Sequence, residues 1–206
     1  MAKQSTFGNM VLSLTLICLV CSALLGVVYS ITAEPIAKAE LDKVNSAIAA
    51  VVPEFDNVPS EDVITLGEST VYLAKKADQI AGYAVKVKTS GFGGPLQMMV
   101  GFQPDGTIYN TSVISHSETP GLGAKITDEN IQPRAQVKGR NPMTDAISVK
   151  KDGGEIDAIT ASTITSRAFL KGVNMAYEVF KQVSAPAASE QPAEEPLNTL
   201  SDEQQQ

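Results

Sequence analysis

The 206-residue chain has only two cysteines and one histidine. Both cysteines, Cys18 and Cys21, lie inside an apolar N-terminal run. The polar remainder therefore has no thiol for a disulfide, a thiolate metal site or a cysteine nucleophile. Ile17 and Val20 precede the two cysteines, so neither stands in a lipobox-like setting. A single histidine, His116, excludes a multi-histidine metal site and a haem held by two histidines. A basic stripe is also lacking. The formal net charge is -7, and Lys75, Lys76, Lys86, Lys88, Lys150 and Lys151 are scattered. Neutralising a phosphate backbone needs clustered Lys and Arg, so the composition speaks against nucleic-acid binding.

Charge is missing altogether from Met10 to Ala33. At about 1.5 Å per residue such a run spans roughly 36 Å as a helix, more than a hydrocarbon core of about 30 Å. Residues 10–33 are therefore expected to cross a membrane once, with Tyr29 suited to the interface. A cleaved signal peptide competes for the same segment, but its apolar region is shorter, about 7–15 residues, and its front more basic. Residues 1–9 form a short N-terminus carrying Lys3, and mixed charges follow the span. This weak bias puts residues 1–9 in the cytoplasm and the domain outside.

Beyond the span, Pro35 is placed to open a second, amphipathic helix that ends before Pro53, giving a helical stem and connector over 34–69. Val71–Ala74, Ala81–Lys88, Leu96–Phe102 and Thr107–Ser115 read as strands, with turns at Gly91–Pro95 and Pro104–Gly106. Ala146–Lys150 and Glu155–Ile159 read as two more strands around Asp152–Gly154. Arg167–Val183 carries Phe169, Val173, Ala176, Phe180 and Val183 on one helical face. Residues 184–206 turn to Ala, Pro, Ser, Glu and Gln, the composition of a disordered acidic tail.

Two segments could carry chemistry. Asp157-Ala158-Ile159-Thr160-Ala161-Ser162-Thr163-Ile164-Thr165-Ser166 concentrates hydroxyls just before the last helix. In the plain reading Thr165 or Ser166 caps a helix beginning near Arg167. In the functional reading the same helix start accepts a phosphate, which a hydroxyl could hydrogen-bond or esterify. The second segment, Ser115 to Lys125, contains Glu118-Thr119-Pro120-Gly121-Leu122-Gly123, a tight loop whose backbone can approach a flat ligand. As a plain structure it is an ordinary surface loop.

Together, an E-T-P-G-L-G loop and a later D-x-x-S/T-G-A-T-x-T-S element resemble the FMN-binding domain of ion-pumping redox complexes. That family includes the G subunit of the Rnf electron transport complex and the C subunit of the sodium-translocating NADH:quinone reductase. The compact length is more like the Rnf protein. The first motif stands in full. In the second, Ala161 replaces the usual glycine and Ser162 the usual alanine. The alanine matters if that position needs a positive φ.

The resemblance implies an α+β fold: one N-terminal transmembrane helix, then an FMN-binding domain over 70–183 with two small antiparallel sheets and flanking helices. It implies FMN joined through its phosphate to Thr163, installed by a flavin transferase from FAD. Asp157, Thr160, Ser162, Thr165 and Ser166 would surround the attachment, and Glu118, Thr119, Gly121, Leu122 and Gly123 would pack near the flavin ring. No catalytic residue and no metal ligand is assigned. The implied role is electron relay in a membrane complex that couples NAD–ferredoxin electron transfer to ion movement. The implied partners are the other membrane subunits of that complex. The place is the bacterial cytoplasmic (inner) membrane, with the domain on the extracytoplasmic side. The alternative is a cofactor-free, membrane-tethered binding or assembly module, which explains a helix cap but gives no reason for the Glu118–Gly123 loop to accompany it.

Overall fold

The computed structural model describes residues 7–60, 62–77 and 79–184. Residues 1–6 lie outside the described residues, as does the tail expected over 184–206 except Ser184, which ends the last helix. Helix α1 (Phe7–Val51) contains the charge-free run. Its apolar side chains from Leu12 to Ile31 are exposed, the surface that a bilayer covers. Among the described residues, α1 is the one helix long and apolar enough to cross a membrane.

The expected break at Pro35 is absent. Pro35 lies inside α1 and no second helix begins there. A proline removes one backbone donor, and its fixed φ remains helical. Good helix formers on both sides, Ala33, Glu34, Ala37, Lys38 and Ala39, outweigh that single loss. The stem is thus a direct continuation of the membrane segment.

Five strands follow, β1 (Val63–Leu66), β2 (Ser69–Lys76), β3 (Gln79–Ser90), β4 (Pro95–Phe102) and β5 (Ile108–His116). They form one antiparallel meander in the order of the chain. The fold class is the expected α+β, but the described strands make a single sheet rather than two. Ala146–Lys150 and Glu155–Ile159, expected as two strands, share one parallel bridge, Val149 to Ile156. Both side chains are buried in the core, so their apolar spacing reflects packing of an irregular connection rather than a ladder. The short edge strand β1 is mostly exposed and carries no alternation to reveal it.

Side chains alternate across β4, and this sets the layers. Leu96, Met98, Val100 and Phe102 face the main core, where helix α3 (Thr163–Ser184) packs through Phe169, Val173, Ala176 and Phe180. Between β5 and α3 the chain forms only short helical turns, among them α2 (Arg134–Val137). Phe180 stacks on Phe102 at 5.0 Å and meets Tyr83 edge-on at 5.1 Å. Met99 faces the opposite side with Tyr72 and Ala84, beneath Ala47, Ile48, Val51 and Val52 at the end of α1. The sheet is therefore clamped between the stem and α3.

The tightest fit on the stem side is at Gly101. A Cβ there would lie 1.6 Å from the Val51 carbonyl oxygen. Asn110 Nδ2 donates to the Ala50 carbonyl at 2.9 Å and fixes the same helix end on β5. Gly101→Ala should push α1 off the sheet. Thermal unfolding of the full chain in detergent should show a loss of about 1–3 kcal/mol; an unchanged midpoint would mean that the stem is not seated on β4.

Candidate functional site

The site lies where the β3–β4 turn, the loop after β5 and the start of α3 converge. The turn closes through Gly91 N–H donating to the Gly94 carbonyl at 2.8 Å, and it holds Phe92 out at 69% exposure. After β5 the Glu118 N–H donates to His116 Nδ1 at 3.2 Å. The chain then folds back, with Leu122 N–H and Ala124 N–H both donating to the Thr119 carbonyl at 3.2 Å, and enters a 3-10 helix, Gly123–Thr127. Behind that helix, buried Arg134 donates to the carbonyls of Thr127 and Thr111 and ties it to β5. Burial holds the Arg134 guanidinium below its ordinary pKa, opposed by the nearby charges of Glu129 and Asp128.

Glu118 joins the three segments. It is 6% exposed. Its Oε1 accepts from Phe92 N–H and its Oε2 from the Thr165 hydroxyl, each at 2.8 Å. The space for this carboxylate depends on two glycines. A Cβ at Gly91 would come within 1.9 Å of Oε1, and one at Gly123 within 2.4 Å of Oε2.

The hydroxyl-rich element differs from the expectation in where its helix begins. Helix α3 starts at Thr163, four residues before Arg167. Thr165 and Ser166 lie inside its first turn and cap nothing. Ser166 Oγ accepts from Ile159 N–H at 2.9 Å and donates to the Ser162 carbonyl at 3.0 Å. It thereby locks the turn Ile159–Ser162, which closes with Ser162 N–H donating to the Ile159 carbonyl at 2.9 Å. Ala161 occupies this turn at φ 61, a conformation costly for a residue with a Cβ. Arg167 forms a two-point ion pair with Asp152, at 2.7 and 2.6 Å, on the outer face of the helix.

Two hollows open on either side of half-buried Thr163. The first has a volume of about 410 Å³ and an apolar rim of Phe92, Leu122 and Ile164, with Glu118, Thr119, Gly123, Ser162 and Thr165 completing it. The second, about 340 Å³, is lined by Lys150, Lys151, Asp157 and Thr160 among others. Thr163 and Ala161 line both. Asp157 is held by Lys150 at 2.8 Å and by Gln136 Nε2 at 2.9 Å, and those two hydrogen bonds keep its carboxyl below the usual range.

Most of the expected site residues therefore gather around Thr163. Gly121 and Ser166 line neither hollow. Gly121 shapes the loop at φ 77, and Ser166 is fully buried. Phe92, Ile164, Lys150 and Lys151 are not among the residues that the sequence pattern marks. Phe92 carried a signal, as a lone aromatic between glycines in a turn. The lysines carried none, since exposed lysine pairs are common on any surface.

Thr165→Val keeps the shape but leaves Glu118 Oε2 without its donor. Denaturant unfolding should show a loss of about 1–3 kcal/mol; a neutral result would mean that water replaces the hydroxyl. Ala161→Gly removes the left-handed strain at some cost in chain entropy. A net gain of about 0.5–1 kcal/mol is expected, and a fall in melting temperature would contradict the strain.

This geometry fits an anion-bearing ligand with a flat apolar part. A helix start presents N–H groups without intrahelical acceptors, hydroxyls surround it, and an apolar-rimmed hollow adjoins it. Comparison with known proteins agrees. Residues 91–178 match the FMN-binding domain family. The G subunit of the proton-translocating ferredoxin:NAD(+) oxidoreductase complex of Clostridium ljungdahlii is 32% identical over 178 residues, covering 85% of this chain and 92% of that protein. The G subunit of the ion-translocating oxidoreductase complex of Stutzerimonas stutzeri is 34% identical over 190 residues, covering 87% and 83%. The crystal structure of Shewanella oneidensis NqrC is similar at 18% identity and a TM-score of 0.45, covering 67% of this chain and 71% of that one. With relatives matched over most of their length, the chain belongs to the family of G subunits of ion-translocating oxidoreductase complexes.

Proposed function

We propose that this chain is a membrane-anchored flavoprotein subunit of an ion-translocating NAD–ferredoxin oxidoreductase complex, with FMN esterified through its phosphate to Thr163. The observation that carries the reading is the hydrogen bond from Thr165 to Glu118, which unites two motifs 47 residues apart at the mouth where Thr163 sits. A helix cap alone gives no reason for that union.

The residues divide the work. Thr163 Oγ1 is the anchor. In maturation it would take the FMN phosphoryl group from FAD, the P–O bond to Thr163 forming as the P–O bond to AMP breaks, with AMP as leaving group and the hydroxyl proton passing to solvent. A flavin transferase is the partner for this step. The helix start at Thr163 offers its dipole and free N–H groups to the phosphate charge that remains. Phe92, Leu122 and Ile164 cover apolar ring surface and exclude water. Glu118 acts at one remove, by holding Phe92 and α3 in register. When bound, FMN supplies the one-electron chemistry, and the protein supplies its position.

The continuous α1 suits a subunit that must hold its redox group at a fixed height over membrane partners. Placing the domain on the extracytoplasmic side, as the weak charge bias suggests, also gives the covalent bond a purpose, since a flavin lost there is not readily replaced. The partners in this reading are the other membrane subunits of the complex.

Intact mass and in-gel fluorescence after co-expression with a flavin transferase test the anchor. The wild-type chain should gain one FMN less one water, with fluorescence that survives denaturation. Thr163→Ala should lose both while melting at nearly the same temperature. Flavin retained in Thr163→Ala would move the anchor to Thr160 or Ser162. An unmodified wild-type mass beside an active transferase would favour a cofactor-free assembly module.

A further inference from the structure

Between the stem and β5 lies a crevice on the membrane side of their contact. Asn110 on β5 holds the Ala50 carbonyl. Nearer the apolar run, Asp42, Lys43, Ser46 and Ala47 of α1 and Ser112, Val113 and Ile114 of β5 enclose a space of about 360 Å³. The two elements therefore run side by side, α1 backward toward the membrane segment as β5 runs forward. Asp42 lies roughly 14 Å along the helix axis from Ala33, where the charge-free run ends. Helix side chains lean toward the N-terminus, here toward the bilayer, and a long lysine carries its ammonium further that way. Below Lys43 on the same side of α1 stand Ile36, Val28 and Leu25, all exposed. An apolar track thus leads from the membrane segment to the mouth of the crevice. The mouth carries one charge of each sign. Asp42 and Lys43 are neighbours in the helix and point about 100° apart. Neither forms an ion pair among the described residues. The lining is therefore neutral in sum, yet offers a separate cation and anion.

We propose that the crevice between the stem and β5 binds the headgroup of a zwitterionic phospholipid with a primary amine, Lys43 meeting its phosphate and Asp42 its ammonium. Ser46 and Ser112 line the same space, and their hydroxyls are of the type that donates to phosphate oxygens. Ile114, packed against the cluster beneath the stem, closes the floor. The acyl chains lie along Ile36, Val28 and Leu25, surface that is apolar and open to lipid. An anionic headgroup would leave Asp42 facing a like charge. A choline headgroup has no N–H to give the carboxylate. Both charged residues are exposed, so the site selects among headgroups more than it binds tightly. The proposal takes α1 as a membrane span and uses nothing of the flavin reading.

The test is native mass spectrometry of the full chain in detergent, with phosphatidylethanolamine, phosphatidylcholine or phosphatidylglycerol added. The ethanolamine lipid should be retained about threefold better than either of the others. Lys43→Gln should weaken the ethanolamine and choline lipids alike, because both share the phosphate. Asp42→Asn should weaken the ethanolamine lipid and bring it level with the choline lipid. Both variants change exposed residues and should melt at the wild-type temperature. Equal retention of the three lipids, or adducts unchanged in both variants, would overturn the headgroup site. Saturable binding of free phosphoethanolamine, which has no acyl chains, would overturn a lipid as its source. A chain that stays dispersed without detergent would overturn the membrane span and the site together.

Discussion

The site depends on a buried carboxylate that must be satisfied from two directions at once. Glu118 is removed from water, so each of its oxygens needs a donor from within the protein. One comes from the backbone of the β3–β4 turn and the other from the first turn of α3. Neither segment can shift without stranding an acceptor. Gly91 and Gly123 complete the arrangement from the outside, since any side chain at either position would collide with the carboxylate. The motif glutamate is thus a pin that assembles the walls of the hollow.

A second constraint governs where that hollow stands. The membrane helix passes through Pro35 and ends pressed against β4, with Gly101 admitting the Val51 carbonyl. The same strand presents its other face to α3, whose first turn carries Thr163. From the apolar run of α1 to Thr163 the path is therefore helix, strand, helix, each in direct contact with the next. A group bound at the start of α3 would thus be linked to α1 through direct contacts across one strand.

The hydroxyl-rich element shows how a motif distributes its residues among tasks. Ser166 locks the preceding turn, Thr165 serves Glu118, and Thr160 is exposed at the polar hollow. Of these hydroxyl residues only Thr163 stands between both hollows. Ala161 adopts the left-handed conformation that a glycine would take freely. Ser166 and the start of α3 hold the turn that carries it.

Much of this was legible in order along the chain. The charge-free run Met10–Ala33, the alternation in β3 and β4 and the helical spacing of Phe169, Val173, Ala176 and Phe180 each report a local choice between lipid, water and core. Such choices repeat with the period of the backbone and need no knowledge of distant residues. The two motifs were also readable, though only as patterns. Tertiary structure decided the rest. It carried α1 unbroken past Pro35, moved the start of α3 back to Thr163 and left the Val149–Ile156 region as a single bridge. It also chose which hydroxyls are consumed internally and set Lys151 beside Thr163 rather than elsewhere on the surface. These outcomes follow from hydrogen bonds and cavities closed between segments tens of residues apart, and no periodicity within a segment encodes them.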